Sequence, residues 1–179
     1  MSATDAQAAR VAEPGVAEPG AAGGVAGDVH IDRLRWWDLE QVQVLEESLF
    51  TGEAWTPGQF WSELARVPES RWYVAARRQG RIVGYAGVFL IGPEADVQTV
   101  AVATGEQGRG IGQMLVAALV ARARDAGARV LHLEVRADNR AALSLYGRAG
   151  FVVDGRRRDY YGRGQDAVLM SLDLGGADG

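Results

Sequence analysis

Three groups of residues in this 179-residue chain could do chemistry. The run Gln107-Gly108-Arg109-Gly110-Ile111-Gly112 lies between an apolar, strand-like stretch and a helix-like one. Glycine there removes side chains that would keep a ligand from the backbone, and open amides at a helix start attract anionic groups such as a pyrophosphate. The spacing is neither the dinucleotide fingerprint nor the phosphate loop that needs a lysine, a residue this chain lacks. Taken alone, such a turn serves structure as readily as binding. Glu134 sits in a segment where Leu131, Leu133 and Val135 face one way and Val130, His132 and Glu134 the other. A carboxylate so placed can act as a general base or simply pair with a nearby arginine. Asn139 and Tyr146 are seven residues apart, two helical turns, so they project from one helix face. The asparagine could hold one part of an extended ligand while the phenol, with a pKa of about 10, delivers a proton to another. The same tyrosine could instead close a core with its ring.

The elements that must position these residues can be read from periodicity. A strand is predicted near 30–34, and Asp38 is expected to cap a helix to which Gln41 reaches back. Leu39, Val42, Leu45 and Leu49 give that helix one buried face. Thr56-Pro57 opens a second helix holding Phe60, Trp61 and Leu64. Segments 72–77 and 81–91 form a hairpin around Arg78-Gln79-Gly80. A strand over 96–103 runs into the glycine-rich turn, and a helix follows over 110–126. Ile111, Met114, Leu115, Ala118 and Leu119 form its core stripe, and Gly127 ends it. A strand at 129–135, a helix at 139–148 and strands at 151–157 and 165–174 complete the order. The five tryptophans, Trp36, Trp37, Trp55, Trp61 and Trp72, are expected in the core or along a channel wall.

Composition narrows the function classes. With 47% hydrophobic and 23% charged residues the chain fits one ordinary soluble domain with a short appendage, and a cytoplasmic location is expected. No cysteine is present, so disulfides, thiolate metal sites and a cysteine nucleophile are excluded. Because all nineteen basic residues are arginine, a lysine Schiff base is excluded too. His30 and His132 are too few and too scattered for a metal site, so none is expected. Residues 1–28 hold a tandem Val-Ala-Glu-Pro-Gly repeat and no aromatic residue, so they are expected to be a disordered tail, as are 175–179. That leaves a domain over 29–174. The formal charge of −4 is uneven: 1–28 carry −3, 32–70 carry −5 and 135–165 carry +4. Such a split suggests two differently charged partners meeting on one domain.

Gln107-x-x-Gly110-x-Gly112 after a strand, followed by Asn139, Ala142, Leu145, Tyr146, Gly150 and Phe151 at their observed spacing, resembles the GCN5-related N-acetyltransferases. The resemblance spans about 29 to 174. The segments 131–139, 157–161 and 166–170, with Glu94-Ala95-Asp96-Val97, resemble the members that acetylate the N-terminal alanine of a small-subunit ribosomal protein. The long N-terminal tail and Ala103-Thr104-Gly105-Glu106, where a proline-containing turn is usual, depart from the pattern.

The resemblance implies an α/β (mixed α+β) fold with a mostly antiparallel mixed sheet of about six to seven strands and about four helices. It implies acetyl-CoA as cosubstrate, with Val100, Ala101 and Val102 along the pantetheine arm and Gln107, Gly108, Arg109, Gly110, Ile111 and Gly112 around the pyrophosphate, aided by Asn139. A strand amide near Val100 would stabilise the oxyanion. Glu134 matches the general base, and Tyr146 the general acid that protonates the departing thiolate. Asp159, Tyr160 and Tyr161 are candidates for the peptide site, which the acidic 32–70 segment would make suitable for an arginine-rich N-terminal peptide. A monomer is expected, with no nucleic-acid or membrane partner. The same fold could serve lysine side chains or small amines, or bind acyl-CoA without catalysis. With no thiol in the chain, direct transfer to the amine is expected.

Overall fold

The computed structural model describes residues 10–11, 28–50 and 54–175; the remainder of the expected N-terminal tail and residues 176–179 lie outside the described residues. Strands β1 (Arg10–Val11), β2 (Val29–Arg33), β3 (Arg71–Arg78), β4 (Arg81–Ile91), β5 (Glu94–Val102), β6 (Val130–Arg136), β7 (Val152–Arg157) and β8 (Ala167–Asp173) accompany helices α1 (Leu39–Leu49), α2 (Pro57–Leu64), α3 (Ile111–Asp125) and α4 (Arg140–Arg148). From β2 onward this is the predicted order. Seven strands follow one another as β2-β3-β4-β5-β6-β8-β7, and β1 lies alongside β5. All neighbours on that path are antiparallel except β5 and β6, because the connection between those two is the helical crossover α3.

Two apolar clusters hold helices to opposite faces. One gathers Val74, Val88, Val97, Val100, Leu131, Leu133 and Val135 with Ile111, Leu115, Val116 and Leu119 of α3 and Ala142 and Tyr146 of α4. The other joins Tyr73, Ala75, Tyr85 and Ala101 to Val42 and Leu45 of α1 and Phe60 of α2. The α2 start is as predicted: the Gln59 amide donates to Thr56 Oγ1 at 3.3 Å and the Thr56 amide to Gln59 Oε1 at 2.8 Å. The α1 start is not. Residues Trp36–Asp38 form a 3-10 turn, Asp38 already has helical dihedrals, and its carboxylate therefore turns back instead of capping α1. It accepts the Arg35 amide at 2.8 Å and pairs with Arg77 at 2.7 Å, while Gln41 accepts the Ile82 amide at 3.1 Å. The tryptophans also divide. Trp55 is buried and Trp72 packs against the first cluster, whereas Trp36, Trp37 and Trp61 are exposed and lean on one another.

The feature that shapes the site is a single extra residue in β5. Val88 pairs with Val97 but Gly87 pairs with Thr99, so Gln98 is bulged. A bulge bends the strand that carries it. Accordingly β5 stays registered with β6 only over Glu94–Asp96, and beyond Asp96 the two part, while β6 remains paired with β8 along its whole length. Along the edge of β5 turned away from β4 in that opening, the pairing among the described residues is with the two residues of β1.

Candidate active site

The glycine-rich turn follows directly from the end of β5. Thr104–Glu106 makes one 3-10 turn, and Gly110 at φ +84° starts α3 with open space where a side chain would stand. Gly108, at φ +74°, is equally open. Gly112 serves packing: a Cβ there would meet Leu145 Cδ2 at 3.3 Å, so α4 lies close against the first turn of α3. Gln107 donates its side-chain amide to the Val102 carbonyl at 3.0 Å and so ties the turn to β5. Arg109 reaches Glu106 at 3.6 Å, and Glu106 also holds Arg78 at 2.5 Å. Ile111 is in the core, and Val100 and Ala101 are buried on opposite faces of β5.

Burial alternates along β6, with Leu131, Leu133 and Val135 in the core and Val130, His132, Glu134 and Arg136 on the other face. Glu134 Oε1 meets Arg157 Nη1 at 2.6 Å, and Oε2 is buried with no hydrogen-bond partner among the described residues. The Tyr160 hydroxyl is in hydrogen-bonding range of the same carboxylate; burial first, and then that carboxylate, raises the phenol above its ordinary pKa. Tyr160 stands edge-on to Tyr161 at 5.1 Å, and Tyr161 in turn acts electrostatically on Tyr146. Tyr146 is wholly buried, edge-on to Phe151 at 5.4 Å, and its hydroxyl has no hydrogen-bond partner among the described residues. Burial, with a smaller push from Tyr161, holds that phenol far above its usual pKa. The fold thus sets Glu134, Tyr160 and Tyr161 side by side through their side chains.

Asn139 is the N-cap of α4: its Oδ1 accepts the Ala142 amide at 3.0 Å. Asp159, in the β7–β8 loop at φ +53°, has its carboxylate on the Gly164 amide at 2.5 Å, and its own amide donates to Asp166 at 3.1 Å. Both side chains are therefore doing local structural work.

Two neighbours of Glu134 carry no role in the sequence reading. Arg157 stands in a run of three arginines that looks like a solvated turn, and nothing local in the sequence marks which one faces β6. Asp96 pairs in register with His132, placing Glu94, Asp96, His132 and Glu134 together on the sheet. Burial raises the Asp96 carboxyl; Glu94 and Glu134 add to this, while His132 and Arg71 oppose it. The alternation of β6 could have signalled His132, but Asp96 needed the β5–β6 register. The described residues contain no group of three or more His, Asp or Glu that could hold a metal ion, and no helix among them is long and apolar enough to cross a membrane.

Comparison with known proteins accords with this geometry. The model of the acetyltransferase (GNAT) family matches residues 31–151. A Mycobacterium tuberculosis protein named N-alpha-acetyltransferase RimI is 43% identical over 153 residues, covering 82% of this chain and 94% of its own. The crystal structure of the ribosomal-protein-S18-alanine N-acetyltransferase from Escherichia coli aligns with a TM-score of 0.73 at 28% identity, over 84% of this chain and 97% of that one. A Salmonella typhimurium protein solved with its cofactor acetyl-CoA shares the fold, with a TM-score of 0.70 at 21% identity over 84% of this chain and 96% of that one.

Proposed function

We propose that this chain, which belongs to the GNAT acetyltransferase family, moves the acetyl group of acetyl-CoA directly to the α-amine of an N-terminal alanine on a small-subunit ribosomal protein. The observation that carries the reading is that Glu134 Oε2 on β6 and the Tyr146 hydroxyl on α4, two of the buried side-chain polar atoms without a hydrogen-bond partner among the described residues, lie on consecutive elements. Buried polar groups are nearly always hydrogen-bonded, so two exceptions on consecutive elements point to ligand atoms as the missing partners.

An α-amino group, with a pKa of about 7.7–8.0, is mostly protonated at pH 7 and cannot attack a carbonyl in that form. Glu134 removes its proton, directly or through a water, using the oxygen that Arg157 leaves free. Arg157 holds the other oxygen and so fixes the carboxylate's orientation. Acetyl-CoA, when bound, supplies an activated thioester carbonyl and a thiolate leaving group. Burial opposes ionisation of Tyr146, so its O–H would be available to protonate that sulfur as the C–S bond breaks, and the phenol would regain the proton that the acylated nitrogen sheds.

The open cradle at Gly108 and Gly110 and the unpartnered Tyr146 hydroxyl fit such a ligand. On this reading the amides of Val100 and Val102, on the β5 edge turned away from β4, hold the pantetheine arm, with Ala101 between them, and those from Gln107 to Gly112 hold the pyrophosphate. Asn139 contributes by setting the start of α4. Tyr160 and Tyr161 line the peptide channel, and Glu94, Asp96 and Glu134 give the sheet face beside it an acidic character that suits an arginine-rich peptide. The protein then works as a cytoplasmic monomer without a metal.

The test is mass spectrometry of synthetic peptides incubated with acetyl-CoA. A peptide starting with alanine and rich in arginine should gain one acetyl group at its α-amine. Glu134→Gln should lower kcat by about 10²–10⁴ while leaving acetyl-CoA affinity unchanged. Preference for lysine peptides blocked at the N-terminus would overturn the acceptor assignment, and full turnover by Glu134→Gln would remove that residue as base.

A further inference from the structure

Past Asp96, the edge of β5 that faces β6 is left without its neighbour strand, and an unpaired row of amides and carbonyls is a template for another extended chain. In this structure that template is taken by the protein's own N-terminal segment. Arg10 pairs with Thr99 and Val11 with Val100, in parallel, and β1 also lies close to β6, so it sits in the wedge between the two. We propose that β1 is an internal occupant of the cosubstrate slot: it binds the β5 edge at Thr99–Val100 when acetyl-CoA is absent and must leave for acetyl-CoA to bind. The proposal rests on the assignment of the Val100–Val102 amides to the pantetheine arm.

Two features suit a displaceable occupant. A two-residue strand is too short to be stable by itself, so it can hold the edge without locking it. The seventeen-residue separation from Val11 to Asp28 keeps the segment covalently tethered to the domain whether or not it occupies the edge. Val11 also begins the first of the two Val-Ala-Glu-Pro-Gly repeats, and Val16 begins the second, so a replacement for the first copy lies five residues further on. In each repeat, the proline three residues beyond the valine cannot donate to a ladder, which limits how far either copy can extend along β5.

The experiment compares the full chain with an Arg10→Pro/Val11→Pro/Val16→Pro variant, which cannot donate backbone hydrogen bonds at those positions. Amide hydrogen exchange is followed by mass spectrometry, with and without acetyl-CoA, and acetyl-CoA binding is measured by calorimetry. The variant should exchange faster at Thr99–Val102 without ligand and should bind acetyl-CoA about fivefold more tightly, which is about 1 kcal/mol at 1.4 kcal/mol per decade. In the unaltered chain, added acetyl-CoA should speed exchange around Arg10–Val11 while protecting Val100–Val102. Unchanged exchange at Thr99–Val102 in the variant, or equal acetyl-CoA affinity of the two chains, overturns the proposal and leaves the acetyltransferase assignment standing. Failure of both chains to bind acetyl-CoA overturns that assignment and the proposal with it.

Discussion

Replacing Tyr146 by phenylalanine should make the protein more stable and much less active. The side chain is completely buried, its ring packs edge-on to Phe151, and its hydroxyl has no partner among the described residues. Phenylalanine keeps the ring contacts and removes only the oxygen. A buried hydroxyl without a hydrogen bond costs about 1–3 kcal/mol in proteins, and its deletion also opens a small void. The net expectation is a gain of about 1–2 kcal/mol, read as a rise in the urea midpoint at constant slope. The melting temperature should rise by about 2–4 °C for each kcal/mol in a domain of this size.

The kinetic expectation has the opposite sign. A general acid contributes about 10²–10⁴ in rate, so Tyr146→Phe should lower kcat and kcat/KM together by such a factor, with acetyl-CoA affinity little changed. The native enzyme should also show no loss of rate near pH 10 from this phenol, because burial keeps it protonated well beyond that point. Urea unfolding and initial-rate kinetics on one preparation decide the matter. A destabilised variant would mean that the hydroxyl has a structural partner. A variant both stabilised and fully active would mean that the buried hydroxyl is merely tolerated, and that the leaving group takes its proton elsewhere.

Three further outcomes follow from the same geometry. The native Asp96 carboxyl holds its proton more tightly than an unfolded aspartate, whose pKa is 3.8. As pH rises from that value through the native one, the native state is the better proton binder, so stability falls. The advantage of Asp96→Asn over the parent should therefore be absent below about pH 4 and grow to a plateau above the native value, and a pH-independent difference in urea unfolding would contradict it. Gly112→Val should cost about 1–3 kcal/mol in the same assay, because even its Cβ would sit 3.3 Å from Leu145 and α3 would be forced from α4. Asn139→Ala should cost about 1 kcal/mol through the lost cap on Ala142, and Asn139→Asp should restore most of it.

Much of this was legible in the sequence, because it depended on local rules. The cap at Thr56 before Pro57, the alternation of β6 and the helix stop at Gly127 follow from residue type and spacing, and each is present. What could not be read was where charges end up. The acidic excess over 32–70 suggested a surface for a basic partner, yet the sheet consumes much of it: Asp32 and Asp38 share Arg77, Glu63 holds Arg71 and Tyr73, and Glu46 is buried on Tyr85 and the Trp55 amide. Arg71, Arg77 and Tyr85 lie on β3 and β4, outside the acidic segment, and they meet it through the pairing of β2 with β3, the turn at Trp36–Asp38 and the packing of α1 and α2 over those strands. For the same reason Asp38 failed as a cap: a charge-assisted bond to Arg77 competed with it. Arg157 escaped notice because its partner is two strands away.

Gln98 accounts for why the reactive groups gather where they do. Without an extra residue in β5, the pairing of Asp96 with His132 would continue along both strands and close the sheet beneath Glu134. The bulge diverts β5 instead, and three consequences arise together. The backbone of Thr99 and Val100 loses β6 as a neighbour and becomes available to an extended ligand or to β1. Asp96 is left as the last registered residue, half-buried among Glu94, His132 and Glu134. Glu134 keeps its place in β6 through β8 but has no β5 residue registered beside it. Straightening the strand would take away amides, cleft and base environment at once, so the site depends on a local break in strand register more than on any single side chain.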